Sequence, residues 1–230
     1  KLFQLGHEHE IEDSIFDMEF TPNRGDCLSL LGLARDLNVF YKTNLDVPIY
    51  EDEIAQLNLN FINKTIGKCP EISFLNIQIN GQISDYKDYL NDYFRDLKIN
   101  KNNFFTDVSN YVAYEMGQPT HSYDFSLIGN DITLQESTSS TSFKTLLGNN
   151  IELEGLNLVF TSMDKVINLA GIVGGLDTAC SSNTKDVLIE CAYFRPDSII
   201  GKAVKYNIRS DASHKFERGT DPLCHEKVLR

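Results

Sequence analysis

The stretch KVINLAGIVGG, residues 165–175, joins an apolar run to three closely spaced glycines. A second apolar run, DVLIECAYF at residues 186–194, follows a short distance downstream. Both runs are rich in residues that favour buried strands, whereas glycine weakens a strand unless the backbone bends or another group approaches closely. We therefore predict a strand-rich core here, with some group packed close to Gly171, Gly174 and Gly175.

The segments on either side of this core predict an α+β fold with a mixed sheet, preceded by a short helical segment. Further strands are predicted over residues 71–80, 131–137 and 156–162. Helices are predicted from Asp26 to Phe40 and over residues 85–99, 107–117, 196–206 and 211–218. The predicted N-caps are Asp26, Asp107 and Asp211, and the predicted helix ends are Gly117 and Gly219. Residues 137–142 are predicted to form a polar loop, and a domain boundary is placed within residues 45–65.

The chain has 230 residues and a formal net charge of −12. Proteins whose main task is to coat nucleic acid carry a broad basic face, so this charge argues against that class. Between residues 202 and 218, five basic residues stand against two acidic ones, a local balance of +3. This segment either binds a phosphate backbone or forms a charge-balanced surface helix, and the sequence leaves both open. No apolar run approaches the roughly 18–20 residues that span a bilayer.

Cysteine and histidine usage gives no pattern of a metal site or a disulfide framework. The five cysteines form no CxxC pair, which argues against a zinc ribbon and favours a reducing cytoplasm. The stretches HEH at 7–9 and CHE at 224–226 are interpreted as solvated polar ends rather than metal ligands. Because the chain opens on KLFQLGHEHE, with neither Met nor a leader, we expect an internal piece of a longer protein.

Three stretches carry residues suited to binding or catalysis. His121 follows a proline turn and is either structural, solvated or functional. Glu190 lies in a strand with apolar neighbours, so it either points outward by alternation or lines a polar pocket. Ser210, Ser213 and His214 include a candidate nucleophile and base, but no orienting acid accompanies them. A Ser-His triad is therefore disfavoured.

Taken together, five ordered motifs resemble the β subunit of bacterial phenylalanyl-tRNA synthetase. They are TPNRGDCLSLLGLARDL (21–37), DVSNYVAYEMGQPTHSYDF (107–125), LAGIVGG (169–175), LIECAYFRP (188–196) and SDASHKFERGTDP (210–222). The resemblance implies that residues 1–60 are the end of a B1-like domain with a linker. It also implies that residues 66–222 are a B3/B4-like tRNA editing domain and that residues 223–230 begin the next linker.

The activity implied by this resemblance is hydrolysis of tyrosine mischarged onto tRNA(Phe), without a protein nucleophile and without a metal. The implied editing-pocket residues are Glu190, which takes the tyrosine hydroxyl, Gly171 and Gly174 against the ring, His121 near the terminal adenosine, Ser210 and Ala212. Candidate tRNA contacts are Arg209, Lys205 and Lys215. The implied partners are the 3′ end of tRNA(Phe) and the synthetase α subunit, in a cytoplasmic heterotetramer of two α and two β subunits, with no membrane. No cofactor is expected in this fragment, because the parent enzyme uses ATP and Mg²⁺ elsewhere.

Two departures from the family pattern bear on activity. Asn100 stands where the family has an arginine close to the editing pocket, and Arg209 precedes Ser210 where the family has a histidine before its Ser/Thr. The loss at Asn100 supports an alternative function, a non-catalytic scaffold that contacts tRNA and whose editing has decayed. Arg209 or Lys101 is a candidate replacement for the missing arginine. If the glycines form a slot for a flat ring, Gly174→Val should abolish tyrosine binding while the fold stays intact.

Overall fold

A computed structural model describes residues 1–45, 47–83 and 85–230. Its helices are α1 (Leu30–Tyr41), α2 (Asp88–Asp96), α3 (Phe104–Met116), α4 (Pro196–Ile199), α5 (Lys202–Lys205), α6 (Asp211–Arg218) and α7 (His225–Leu229). Its strands are β1 (Glu8–Glu12), β2 (Ile15–Glu19), β3 (Asn60–Asn63), β4 (Glu71–Gln78), β5 (Thr120–Asp124), β6 (Asp131–Ser137), β7 (Thr141–Lys144), β8 (Asn150–Leu153), β9 (Asn157–Ser162), β10 (Lys165–Leu169), β11 (Val173–Gly174) and β12 (Asp186–Tyr193).

Two sheets form the strand-rich part of the molecule. One has five strands in the order β11-β10-β9-β6-β3, and the other has three in the order β4-β12-β5. The β3–β6 pair is parallel, whereas the other paired strands of both sheets are antiparallel. The pairs β1–β2 and β7–β8 form separate two-stranded sheets. The predicted α+β class with a mixed sheet is therefore confirmed.

Both runs quoted at the start form buried strands, as predicted. β12 is the central strand of its sheet, and Leu188 and Cys191 on its opposite faces are completely buried. Side chains of both sheets meet in one core, which includes Tyr123 from β5 and Phe160 from β9. Central strands buried on both faces favour continuous apolar runs, which explains the composition of residues 186–194.

The predicted N-cap of the first helix is wrong. Ser29 caps α1, and its hydroxyl accepts a hydrogen bond from the backbone N–H of Gly32 at 3.0 Å. The carboxylate of Asp26 instead binds the guanidinium groups of Arg24 and Arg35, at 3.0 and 2.9 Å. Two charge-assisted bonds stabilise a carboxylate more than one orphan amide does, so Asp26 is held away from the helix end.

The N-cap predicted for the third helix is also wrong, because α3 begins three residues earlier than expected. Asn103 caps it and accepts from the N–H of Thr106 at 3.1 Å. Asp107 is buried inside the first turn, where its carboxylate accepts from the hydroxyl of Tyr86 at 2.6 Å and from the N–H of Asn102. Gly117 ends the helix with φ of 80°, as predicted.

Near the carboxyl end, Ser210 rather than the predicted Asp211 caps α6, by accepting from the N–H of Ser213 at 3.1 Å. Gly219 follows the last residue of this helix, as predicted. The helix expected over 196–206 is split into α4 and α5 at Gly201, whose φ is 78°.

Several predicted boundaries differ from the observed elements. Within residues 137–142, only 138–140 form the loop, because β6 ends at Ser137 and β7 begins at Thr141. β3 already belongs to the five-stranded sheet before residue 66. At the other end, the segment predicted to begin a linker contains α7, which packs against β4 and β12.

Candidate functional site

Glu190 lies in the middle of β12 and is only 5% exposed. Its strand partners are His121 on β5 and Phe74 on β4, so the carboxyl group sits over the centre of the three-stranded sheet. Of the two orientations that the sequence left open, the structure has the buried one. Burial disfavours the charged carboxylate and raises the pKa of Glu190 from 4.5 to about 8.

A tyrosine already binds this carboxyl group. The hydroxyl of Tyr123 donates to Oε2 of Glu190 at 2.7 Å, and Nδ2 of Asn168 donates to the Tyr123 oxygen at 2.9 Å. All three side chains are buried. The hydrogen bond from Tyr123 opposes the effect of burial on the Glu190 pKa, because it stabilises the carboxylate.

His121 lies directly opposite Glu190, and its ring packs edge-on against Tyr123 with the ring centroids 4.3 Å apart. Its Nε2 atom is buried and has no hydrogen-bond partner in the described part of the chain. Burial lowers the pKa of His121 from 6.5 to about 4, so the imidazole is neutral at physiological pH. Buried polar atoms of native proteins nearly always have a partner, either protein or ordered water, so this nitrogen is open to a group that the described residues do not supply.

The glycine stretch faces these side chains. A Cβ atom added at Gly174 would lie 2.1 Å from Cε1 of His121 and 2.9 Å from Cδ1 of Leu146. Gly174 also pairs with Asn168 across β10 and β11, which places the glycine beside the Tyr123 hydrogen bonds. The group that approaches Gly174 in this structure is therefore the His121 imidazole.

The other two glycines approach different neighbours. A Cβ at Gly171 would lie 2.7 Å from Cδ1 of Ile199, and the φ of this glycine is 70°. A Cβ at Gly175 would lie 2.9 Å from the carbonyl oxygen of Ile167. Gly171 thus allows close packing of α4, and Gly175 allows close approach of a neighbouring backbone.

Ser210 ties the start of α6 to the glycine stretch. Its hydroxyl donates to the carbonyl oxygen of Ile172 at 2.7 Å while it accepts the capping bond from Ser213. Ala212 is half-buried and packs against the main core. The structure therefore brings Glu190, His121 and Gly174 into one cluster and links Ser210 to that cluster through the backbone.

Of the predicted tRNA contacts, Arg209 is exposed and lies beside a cavity of about 450 Å³ that Ser210 also lines. Lys205 is exposed, and its ammonium group contacts the carbonyl oxygen of Glu154. Lys215 is half-buried and donates to the carbonyl oxygen of Leu28. Arg209 is thus the better placed of the three for an incoming phosphate.

Asn100, which stands in place of the family arginine, and Lys101, one candidate replacement for that arginine, both lie on the surface. Asn100 is exposed between α2 and α3. Lys101, one candidate replacement, donates to Oδ1 of Asn91 at 2.6 Å and lies over the ring of Tyr86. These contacts engage the Lys101 ammonium group, and Arg209 is the other exposed candidate.

Two of the histidines near the ends, His7 and His225, are buried rather than solvated, which corrects the sequence interpretation for these residues. His7 is buried and forms a hydrogen bond with Asp36 at 2.9 Å, and together with Cys27 these residues have the spacing of metal ligands. However, the guanidinium of Arg24 contacts Asp36 at 2.7 Å and Cys27 Sγ at 2.8 Å, so a cation already lies among them. His225 is buried and bonds Ser73.

The sequence profile of the B3/4 domain family matches residues 68–230. The chain belongs to the B3/4 domain family. Two similar relatives are the phenylalanine–tRNA ligase beta subunits of Francisella tularensis, 31% identical over 226 residues, and Legionella pneumophila, 34% identical over 232 residues. These alignments cover 96% and 95% of this chain but only 28% of each relative.

Among solved structures, this B3/4 chain is similar to an N-terminal fragment of the phenylalanyl-tRNA synthetase beta subunit from Pyrococcus horikoshii. The TM-score is 0.47 at 14% identity, covering 83% of this chain and 60% of that fragment. Separately, no helix in the described ranges is long and apolar enough to cross a membrane.

Sequence reasoning missed Tyr123 and Asn168 in this B3/4 site. Tyr123 stands two residues after His121, so a strand over 120–124 would have placed both on one face. Asn168 is a polar residue within the apolar run VINLA, which is itself a signal of a buried hydrogen bond.

The raised pKa of Glu190 predicts how stability depends on pH. Its pKa of about 8 lies above its usual 4.5, so its contribution to stability is complete below 4.5 and is lost as pH rises through about 8. His121 has the opposite sign, since its pKa falls from 6.5 to about 4 and its contribution is lost as pH falls from 6.5 to 4. Between pH 6.5 and 8, of these two groups, only Glu190 therefore changes the free energy of unfolding.

Urea unfolding of the wild-type chain and of Glu190→Gln checks this prediction. From pH 6.5 to 8, the wild type should lose about 1–2 kcal/mol relative to the variant, because one linked proton changes the free energy by ~1.4 kcal/mol per pH unit. Parallel pH dependences of the two proteins would contradict it.

Proposed function

We propose that this chain is the part of a phenylalanyl-tRNA synthetase β subunit that hydrolyses tyrosine mischarged onto tRNA(Phe). The observation that carries the proposal is the buried carboxyl group of Glu190, which already binds one phenol and lies on the strand position paired with His121. A buried carboxyl group suited to phenols is the feature by which a site would retain tyrosine and reject phenylalanine.

The need for such a site is physical. A pocket built for phenylalanine discriminates against an analogue with one added hydroxyl by only about a hundredfold. A site that hydrogen-bonds the hydroxyl discriminates in the other direction by ~10⁴-fold or more, because phenylalanine leaves its buried polar groups unpaired. Glu190 has the chemistry for this second selection.

The hydrolysis would depend on positioning and electrostatics rather than on a protein nucleophile. Ser210 already uses its hydroxyl to donate to Ile172 and to cap α6. His121 has no carboxylate partner among the described contacts, so it lacks the orienting acid of a triad. A water molecule held by backbone groups and by the terminal ribose hydroxyls of the tRNA would then attack the ester.

Entry of a tyrosyl ring requires a local movement. The His121 imidazole fills the space beside Gly174, and Glu190, its strand partner, is only 5% exposed. We propose that the imidazole turns away when the 3′ end of tRNA(Phe) arrives and that its Nε2 then gains a partner in the tRNA terminus. Arg209 would contact a phosphate of the same tRNA end.

The rest of the activity would belong to the parent enzyme. We propose that ATP-dependent synthesis of Phe-tRNA, with Mg²⁺, takes place elsewhere in a cytoplasmic heterotetramer with the α subunit. No cofactor is assigned to this chain. Because the chain carries a net charge of −12 and only a local basic segment, most of the tRNA affinity would come from the parent.

Deacylation assays test the proposal. The complete synthetase that contains this chain should hydrolyse Tyr-tRNA(Phe) and spare Phe-tRNA(Phe), whereas the isolated chain should show weak or undetectable hydrolysis. Accumulation of Tyr-tRNA(Phe) by the complete wild-type enzyme would overturn the proposal and would favour the scaffold function that Asn100 suggests. Equal rates for the isolated chain and the complete enzyme would contradict the expected dependence on the parent.

A further inference from the structure

Tyr123 is a fully buried side chain whose hydroxyl lies between the two sheets. That hydroxyl donates to Oε2 of Glu190 at 2.7 Å and accepts from Nδ2 of Asn168 at 2.9 Å. A phenyl ring alone would fill the same apolar space, and burying the extra hydroxyl is favourable only because both partners are present. The contacts of this hydroxyl therefore point to a role directed at Glu190.

The two hydrogen bonds fix the direction of the phenolic proton. Because Asn168 donates to the Tyr123 oxygen, the single proton of that oxygen is directed at Glu190. This commits Oε2, while Oε1 of Glu190 takes part in no hydrogen bond within the described ranges. One carboxyl oxygen is thus held and the other is left for a second donor.

We infer that Tyr123 and Asn168 are positioning residues that hold Oε2 of Glu190, so that Oε1 meets the phenol of an incoming tyrosyl group. The inference rests on the proposed function and deepens it, because it assigns the selectivity of the site to a chain of three side chains rather than to Glu190 alone. A carboxyl group held by one fixed bond has less rotational freedom to lose when the second phenol binds.

The other titratable groups near Glu190 are neutral, so the effect of Tyr123 on the pKa of Glu190 can be measured separately. The titratable groups around it are Tyr123 and His121 from β5, Cys69 before β4, and the adjacent Cys191. The pKa of His121 is lowered to about 4, burial raises the pKa of Cys69, and the hydrogen bond with Cys224 together with burial raises the pKa of Cys191, so these three groups are neutral near physiological pH. The Tyr123 hydroxyl is then the group whose removal should alter the proton affinity of Glu190.

The test replaces Tyr123 by phenylalanine in the complete synthetase and measures hydrolysis of Tyr-tRNA(Phe) and Phe-tRNA(Phe) from neutral to mildly alkaline pH. Near neutral pH, where Glu190 is mostly protonated, we expect the ratio of the two rates to fall by roughly three- to tenfold, the usual effect of losing a hydrogen bond between neutral groups. Above about pH 8, where the carboxylate forms, the fall should reach roughly ten- to hundredfold, the usual effect of losing a hydrogen bond to a charged group. The carboxylate form of Glu190 is the stronger acceptor, and the Tyr123 bond lowers its pKa. The ratio of the Tyr-tRNA(Phe) rate to the Phe-tRNA(Phe) rate should therefore rise with pH as Glu190 loses its proton. In Tyr123→Phe this rise should occur at higher pH.

Tyr86→Phe is the matched control, because it removes another tyrosine–carboxylate bond, to Asp107 at 2.6 Å, outside the cluster around Glu190. It should leave the rate ratio and its pH profile unchanged. The double variant Tyr123→Phe/Glu190→Ala supplies a second measurement, since Tyr123→Phe should have no further effect on selectivity once Glu190 is absent. Thermal unfolding of each variant reports whether it folds.

The possible outcomes distinguish failure of the proposed function from failure of the positioning role of Tyr123 and Asn168. If the wild-type enzyme does not hydrolyse Tyr-tRNA(Phe), the proposed function fails and the inference falls with it. If the wild-type enzyme is active and Tyr123→Phe keeps the same rate ratio and pH profile, the inference alone is overturned. A uniform loss of rate at every pH, shared by Tyr86→Phe, would show a structural role and would also overturn it.

Discussion

Glu190→Ala should remove the selectivity of the complete synthetase for Tyr-tRNA(Phe) over Phe-tRNA(Phe). The carboxyl group is the buried polar partner of the phenol, and a site that hydrogen-bonds a substrate hydroxyl discriminates by ~10⁴-fold or more. Without it, the rate ratio should fall to within about tenfold of unity, because alanine offers neither a hydrogen bond to tyrosine nor a penalty against phenylalanine. Deacylation of the two aminoacyl-tRNAs by purified enzyme measures this ratio.

Glu152→Ala is the matched control for this substitution. Glu152 is another strand glutamate, but it is exposed on β8 and does not belong to the cluster around Glu190. It should leave hydrolysis of Tyr-tRNA(Phe) at the wild-type rate. Unchanged selectivity in a folded Glu190→Ala enzyme would exclude the assigned role of this carboxyl group.

The position of Glu190 shows where sequence reasoning reaches its limit. Alternation along a strand assigns faces only when one face is exposed, and β12 is covered on both, with Cys191 completely buried and Glu190 nearly so. The run DVLIECAYF therefore predicted the strand correctly but left the direction of the carboxyl group open. The partner strand β5, which is only five residues long, supplies the missing contact through Tyr123.

The predictions of the helix N-caps were wrong for a related reason. Asp26 and Ser29 are both good capping residues three positions apart, and their intrinsic preferences do not separate them. Arg35, nine residues further along the chain, binds Asp26 and leaves Ser29 to cap α1. Such choices depend on contacts distant in sequence, whereas the existence of the helix follows from its own apolar spacing.

The glycines were predicted correctly as places of close approach, but the sequence did not identify the side chains of this chain that approach them. Nothing in GIVGG indicates that Gly174 faces His121, some fifty residues earlier, because that contact arises from packing of the two sheets. The predicted tyrosine slot remains a prediction. The expectation that Gly174→Val leaves the fold intact also remains a prediction, but a Cβ at this position would lie 2.1 Å from Cε1 of His121 and 2.9 Å from Cδ1 of Leu146, so these side chains would have to shift.

Gly174→Ala should lower the free energy of unfolding of this chain by about 2–3 kcal/mol, the upper part of the range of about 1–3 kcal/mol expected for overpacking a buried site. The added Cβ would lie 2.1 Å from Cε1 and 2.6 Å from Nε2 of His121, so either the imidazole or the β11 backbone must move. The φ of Gly174 is not positive, so the penalty comes from overlap rather than from backbone strain. Urea unfolding of the wild type and the variant measures the difference.

A double-mutant cycle separates this overlap from other effects. His121→Ala removes the imidazole, so Gly174→Ala should cost about 1 kcal/mol or less in that background, a coupling typical of residues in direct contact. Gly67→Ala is the neutral control, since a Cβ there meets no atom within 4 Å and the φ of Gly67 is not positive. If Gly174→Ala destabilised the chain equally with and without the imidazole, His121 would not be the group that requires glycine at this position.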